Sequence, residues 1–142
     1  MENKMNRHQA REALLTLVFE KGFLADGENA DFADEFDIMT ANREIETNDY
    51  MRDCYIGIMS HAAELEGKLA QSAIGWKTER MSRMSRSILT IAAYEMLYME
   101  DVPYSVAINE AVELAKTYDH DDAPRFINGV LNKIAEKEGL KN

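Results

Sequence analysis

The sequence predicts an all-α protein, and three observations support this. Apolar residues recur at helical spacing along most of the chain, no segment shows the alternation of a strand, and both prolines fall at predicted helix boundaries. The chain has 142 residues, of which 46% are hydrophobic, which suits a core of ordinary size. We therefore expect one domain over residues 1–142, built as a compact bundle of about six to seven helices.

The apolar pattern in the first half of the chain predicts three helices, and it is more regular in some than in others. Residues 6–22 show an amphipathic pattern that ends at Gly22, whereas residues 26–47 support only one short helix between loops. Asn48 is a favourable N-cap for the longest periodic stretch, which reaches to about Ser72. The apolar stripe of this stretch comprises Met51, Tyr55, Ile58, Met59, Ala62, Leu65 and Leu69.

A strongly apolar helix follows an interruption in the pattern. The interruption allows a short helical turn from Trp76 to Met81, and either Ser82 or Ser85 caps the helix after it. Pro103 then breaks the pattern, because proline has no backbone N–H to donate. The predicted core positions of this helix are Ile88, Ile91, Ala92, Tyr94, Leu97 and Tyr98.

Two further helices complete the prediction. Ser105 begins one of them, and the segment "DHDD" at residues 119–122 ends it. Asp121 or Asp122 starts the last helix, where Pro124 is tolerated because N–H groups in a first turn have no helical partner. Its apolar stripe comprises Ile127, Val130, Leu131 and Ile134.

The charge distribution is uneven. The net charge is −10, which argues against an acidic polymer such as nucleic acid as a partner. Residues 26–53, however, hold ten acids and two arginines, while residues 77–86 are basic. The acidic run is typical of solvated surface, and the asymmetry leaves room for a basic face elsewhere.

No motif predicts catalysis, a cofactor or a metal. Cys54 and His61 share a helix face but lie roughly 10 Å apart along it, beyond hydrogen-bond reach. Residues 119–122 lack the glycine and terminal glutamate of a calcium loop. No apolar run approaches the roughly 18 residues of a membrane span, and a single cysteine forms no internal disulfide. A cytoplasmic, non-enzymatic protein is the simplest prediction.

The start of the last helix, "DDAPRFINGV" at residues 121–130, allows two interpretations. A helix start favours an anion, Arg125 adds a fork of donors, and Phe126 offers a ring on which an RNA base could stack. In the alternative, Phe126 is a core residue and Arg125 is merely solvated. Asp121 and Asp122 would repel a phosphate unless one of them caps the helix.

Several of these stretches together resemble the NusB family of transcription antitermination factors. The most specific is the run "DVPYSVAINEAVELAKTYDHDDAPRFINGVLNKIA" at residues 101–135. Further matches are "SRSILTIAAYEMLY" at residues 85–98, "ARE" at residues 10–12, and Trp76 before "RMSRMSR". The resemblance covers nearly the whole chain and implies an all-helical fold of two small subdomains without enzymatic activity.

The resemblance also implies partners and a binding face. It implies binding of single-stranded box A RNA from ribosomal RNA operon transcripts, together with ribosomal protein NusE, on elongating RNA polymerase. Carried over residue by residue, the implied RNA-binding residues are Arg7, His8, Arg11, Asp122, Arg125 and Phe126.

This chain departs from the family pattern at a few positions. Asn6, His8 and Gln9 thin the N-terminal basic cluster, Thr90 stands where arginine is common, and Ser85 stands where an acid precedes Arg86. Because phosphate binding grows with the number of cations engaged, we expect weak RNA binding by the isolated protein and tighter binding with NusE.

Two alternatives stay open. One is a protein-interaction module, or a homodimer that covers the Arg7 and Arg11 helix, with little or no RNA binding. The other is a helical domain of the kind that precedes the catalytic part of some ribosomal RNA cytosine methyltransferases, although the chain leaves no room for a cofactor fold.

Overall fold

The computed structural model describes residues 5–21, 31–73 and 81–140. Within those ranges the chain forms helices and no strands, so the predicted all-α class is confirmed. The described helices are α1 (Arg7–Lys21), α2 (Phe32–Asn42), α3 (Asp49–Ser60), α4 (Ala62–Ser72), α5 (Arg83–Tyr98), α6 (Tyr104–Tyr118) and α7 (Ala123–Lys137).

The chain divides into two compact units. The first comprises Met1–Ala62 and holds α1 to α3, and the second comprises Ala63–Asn142 and holds α5 to α7. In the first unit α1 and α2 both pack against α3. In the second, α5, α6 and α7 pack against one another.

In the first unit, α3 supplies much of the buried apolar surface. Met51, Tyr55 and Ile58 are at most 1% exposed, as the predicted stripe requires. The rings of Phe36 and Tyr55 lie 5.6 Å apart between centroids, and the Tyr55 hydroxyl donates to Glu35. Asn48 caps α3 as predicted, since its side chain accepts from the N–H of Met51 at 2.9 Å.

The predicted continuous helix from Asn48 to about Ser72 is wrong, because α3 ends at Ser60 and α4 begins at Ala62. His61 leaves the helical conformation at φ −116° and ψ 20°. Its ring Nδ1 lies 2.8 Å from the carbonyl oxygen of Gly57, which its backbone N–H also contacts at 3.0 Å. The helix ends where His61 takes these backbone angles, although the apolar stripe continues beyond it.

The second unit confirms the main helix boundaries. Ser82 caps α5 and accepts from the N–H of Ser85 at 2.9 Å. Ile88, Ile91 and Ala92 are buried as predicted, whereas Tyr94, Leu97 and Tyr98 are only partly buried. Pro103 is the N-cap of α6, which starts one residue before the predicted Ser105, and Pro124 lies in the first turn of α7.

Two details of the prediction lie outside the described residues. One is the helix end at Gly22, and the other is the helical turn from Trp76 to Met81, of which only Met81 is described.

Candidate nucleic-acid interface

The predicted RNA-binding residues lie at two helix starts, one in each unit. Arg7, His8 and Arg11 belong to α1, and Asp122, Arg125 and Phe126 belong to the start of α7.

The first turn of α1 is fixed by a reciprocal cap. The N–H of Gln9 donates to the Asn6 side chain at 2.8 Å, and the N–H of Asn6 donates to the Gln9 side chain at 3.0 Å. This is the geometry of a capping box, which satisfies two backbone donors at once. Asn6 and Gln9 are uncharged and so reduce the basic cluster. Their two hydrogen bonds, however, fix the helix start that carries Arg7.

The two arginines of α1 differ in exposure. Arg7 is exposed, whereas Arg11 is only 3% exposed. Both guanidinium groups lie near the ring of Tyr50 at the start of α3. The Cζ atom of Arg7 is 4.2 Å from the ring centroid, and that of Arg11 is 5.8 Å from it. Both distances fall within the range of cation–π attraction.

His8 is exposed and has an acidic neighbour one turn along. Its Nε2 lies 3.7 Å from Glu12 Oε1, so the pair carries an attraction only when the imidazole is protonated. Among the described residues at the α1 start, Arg7 is therefore the one permanent exposed cation, whereas the resemblance implied three RNA-binding residues there.

At the start of α7, Arg125 and Asp122 are both exposed. Asp122 is the N-cap residue, yet its side chain makes no capping hydrogen bond; its backbone carbonyl accepts from the N–H of Phe126 at 3.3 Å. The carboxylate of Asp122 thus stays at the helix start as a negative charge and a hydrogen-bond acceptor.

Phe126 is buried, with 5% of its surface exposed. A base that stacks on an aromatic ring needs access to the face of the ring. In this conformation the interpretation of Phe126 as a core residue describes its surroundings better than the interpretation as a stacking platform. The buried ring then anchors the turn that carries Arg125.

A buried carboxylate supports the loop that precedes α7, and the sequence pattern did not predict it. The Asp119 side chain is 3% exposed and accepts from Ser82 Oγ at 3.0 Å and from Ser85 Oγ. It also accepts from the N–H of His120 at 2.9 Å. These contacts join the end of α6 to the start of α5. Ser85, where the resemblance implied an acid, is therefore a buried structural residue with 0% exposure.

Thr90 is likewise buried, at 3% exposure, and its hydroxyl donates to the carbonyl of Arg86 at 2.7 Å. A threonine at this position satisfies its own polar group within α5 and offers no contact to a ligand.

Five other cations of the described residues pair with acids of their own unit. Arg52 donates to Asp37 at 3.2 Å, and this hydrogen bond raises the pKa of the Arg52 guanidinium. The remaining pairs are Lys21 with Glu35, Arg43 with Glu20, Lys68 with Glu138, and Lys116 with Glu113. By contrast, no carboxylate within residues 5–21, 31–73 and 81–140 pairs with Arg7 or Arg125.

These features define a class of protein: an all-helical chain whose candidate site consists of exposed arginines at helix starts. In the part of the chain that the structure describes, no cluster of acids, histidines and cysteines could hold a metal ion. None of the described helices is long and apolar enough to cross a membrane.

Comparison with known proteins supplies the family. The model of the NusB family matches residues 7–136. The chain is 37% identical over 137 residues to the transcription antitermination protein NusB of Bacillus pumilus (strain SAFR-032), covering 96% of this chain and 98% of that protein. It is 34% identical over 134 residues to NusB of Ruminiclostridium cellulolyticum, covering 93% and 90%. The solved structure of T. maritima NusB matches with a TM-score of 0.74 at 25% identity, covering 95% of this chain and 94% of that chain.

This chain therefore belongs to the NusB family. Proteins of this family are transcription antitermination factors and not enzymes.

Proposed function

We propose that this antitermination factor binds single-stranded box A RNA of ribosomal RNA operon transcripts, together with ribosomal protein NusE, on elongating RNA polymerase. Family membership supports the general role. The observation that supports RNA contact is the exposure of Arg7 and Arg125 at two helix starts, without a carboxylate partner among the described residues. A location in the cytoplasm belongs to the same proposal.

At the α7 start, Arg125 and Asp122 have complementary roles in this proposal. Arg125 presents planar donors that fit a phosphate. Asp122 repels phosphate, but its uncapped carboxylate accepts hydrogen bonds from the amino groups of an unstacked base. Arg125 would then supply affinity, while Asp122 would supply selectivity among bases.

At the α1 start, Arg7 is the residue we assign to direct contact. Arg11 is buried and His8 faces Glu12, so neither adds a fully available permanent charge. Phosphate binding grows with the number of cations engaged, and we therefore expect weak binding by the isolated chain. A partner such as NusE that brings its own basic surface would tighten it.

The experiment is a fluorescence-anisotropy titration of box A RNA and a scrambled RNA, with and without NusE, at two salt concentrations. The variant is Arg125→Ala, and the control is Lys133→Ala. Lys133 is also exposed on α7, and no carboxylate of the described residues pairs with it, so both substitutions remove one charge from one helix.

We expect selective binding that NusE strengthens and Arg125→Ala weakens about 10- to 150-fold, since hydrogen bonds to charged groups contribute about 1.5–3 kcal/mol. The slope of log affinity against log salt should fall by about 0.7 for one lost phosphate contact to a single strand. Lys133→Ala should resemble the wild type. Equal losses in the two variants would show that charge alone matters, and the assignment of Arg125 would be wrong.

A second candidate is a protein-interaction module or homodimer with little RNA binding, which the net charge of −10 and the burial of Arg11 favour. The RNA titration at two salt concentrations separates the two, and light scattering over a concentration series, with and without RNA, tests whether a dimer covers the RNA face. A dimer that dissociates when RNA binds would indicate that the dimer covers the RNA face. A dimer that persists in the RNA complex would exclude that arrangement.

A further inference from the structure

Tyr50 contacts both arginines of α1 and has no role in the function proposed above. It lies in the first turn of α3, where the Asn48 cap fixes the backbone, and it is 8% exposed. The Arg7 Cζ atom lies 4.2 Å from the centroid of its ring. A buried ring on a capped helix thus lies against the long side chain of the exposed Arg7.

The contact leaves the binding groups of Arg7 available. A cation–π contact uses the positive charge against the face of the ring, whereas the N–H donors of a guanidinium point outward in its own plane. Arg7 therefore rests on Tyr50 while its donors remain able to reach a phosphate or a base edge.

The ring of Tyr50 also offsets the repulsion between the two arginines of α1. Arg7 and Arg11 lie one helical turn apart, where like charges repel. The negative face of the ring attracts both, since the Arg11 Cζ atom lies 5.8 Å from the centroid. The ring thus lets a second guanidinium stay close to Arg7 while Arg7 keeps its position at the helix start.

We propose that Tyr50 is a positioning residue that holds the Arg7 guanidinium in the orientation in which it binds RNA. The inference rests on the proposed function, because it requires that Arg7 contacts RNA. Ordering a long side chain before binding removes part of the entropic cost of association. Loss of the ring should therefore weaken binding by roughly three- to tenfold.

The test is a double-mutant cycle on box A RNA binding in the presence of NusE, with Tyr50→Leu, Arg7→Ala and the double variant. Tyr50→Phe keeps the aromatic face and should restore binding to within about twofold of wild type. Phe36→Leu is the control for truncating a buried ring of the same unit, because Phe36 packs against Tyr55. Thermal unfolding of each variant identifies those that fail to fold.

Two results together support the inference. Tyr50→Leu weakens binding three- to tenfold in the wild-type background but by less than about twofold when Arg7 is already alanine. The salt slope of Tyr50→Leu stays close to that of wild type, because Arg7 still reaches the phosphate at a higher entropic cost, whereas the slope of Arg7→Ala falls by about 0.7.

Other results overturn it. If Tyr50→Leu weakens binding equally in both backgrounds, or no more than Phe36→Leu does, Tyr50 acts through the fold and the inference is wrong while RNA binding stands. If wild type shows no preference for box A RNA even with NusE, the proposed function fails, and this inference fails with it.

Discussion

Replacing Asp119 with alanine tests whether the loop before α7 depends on the buried cluster of Asp119, Ser82 and Ser85. The carboxylate accepts from two hydroxyls and from the N–H of His120, and its side chain is 3% exposed. A hydrogen bond to a charged group contributes about 1.5–3 kcal/mol, and a buried hydroxyl without its acceptor costs about 1–3 kcal/mol. Because these contributions overlap, we expect Asp119→Ala to lower the free energy of unfolding by roughly 2–4 kcal/mol.

Thermal unfolding followed by far-UV circular dichroism measures this loss. At about 2–4 °C per kcal/mol for a chain near this size, Tm should fall by roughly 4–16 °C. Asp121→Ala is the matched control, because it removes the same charge from an exposed position of the same loop. We expect that control to change stability by less than about 0.5 kcal/mol. If both variants unfolded at the same temperature, the cluster would not support the loop.

Three further predictions concern the capping box, the buried ring of α7 and a tyrosine of α5. Asn6→Ala should lower the free energy of unfolding by about 1 kcal/mol in urea denaturation, since it removes the cap that accepts from Gln9; no change would mean that the cap is dispensable. Phe126→Leu should leave box A RNA affinity within about twofold of wild type, because Phe126 is buried; a loss of about 1–3 kcal/mol would instead indicate base stacking. Partial burial, followed by the hydrogen bond to Glu64, raises the pKa of Tyr98 from 10.0 to about 12. As the pH rises, the unfolded chain loses the Tyr98 proton before the folded chain does. The stability that protonated Tyr98 contributes to the fold is therefore complete below pH 10.0 and declines toward pH 12. A difference titration at the phenolate absorbance, wild type against Tyr98→Phe, checks the shift, and a midpoint near 10 would contradict it.

Local chemistry made the helix boundaries predictable. Asn48 and Ser82 were recognisable as caps because each bonds to a backbone N–H three residues ahead. Pro124 marked the first turn of α7 for an equally local reason. The break at His61 escaped prediction because no proline or glycine stands there, and the apolar stripe of α3 continues in phase into α4.

The candidate site was predictable only as a set of residue types. Arg7 and Arg125 are exposed, and their assignment to RNA binding stays a prediction. The burial of Arg11 and Phe126 depends on packing between helices, which residue identity alone does not determine. Tyr50 and Asp119 were missed for the same reason: Tyr50 meets Arg7 only where α1 packs on α3, and Asp119 meets Ser85 across a separation of 34 residues.

An acidic protein that binds an acidic polymer must keep a few cations available while the others are neutralised. Here Arg43, Arg52 and Lys116 each face an acid, whereas Arg7 and Arg125 do not face one among the described residues. Two phosphate contacts to a single strand correspond to a salt slope of only about 1.4. Under the proposed function, this chain would therefore select the RNA sequence, through the Asp122 carboxylate and the guanidinium donors of Arg7 and Arg125. The larger part of the electrostatic affinity would come from the basic surface of the partner, which explains why we expect binding to depend on NusE.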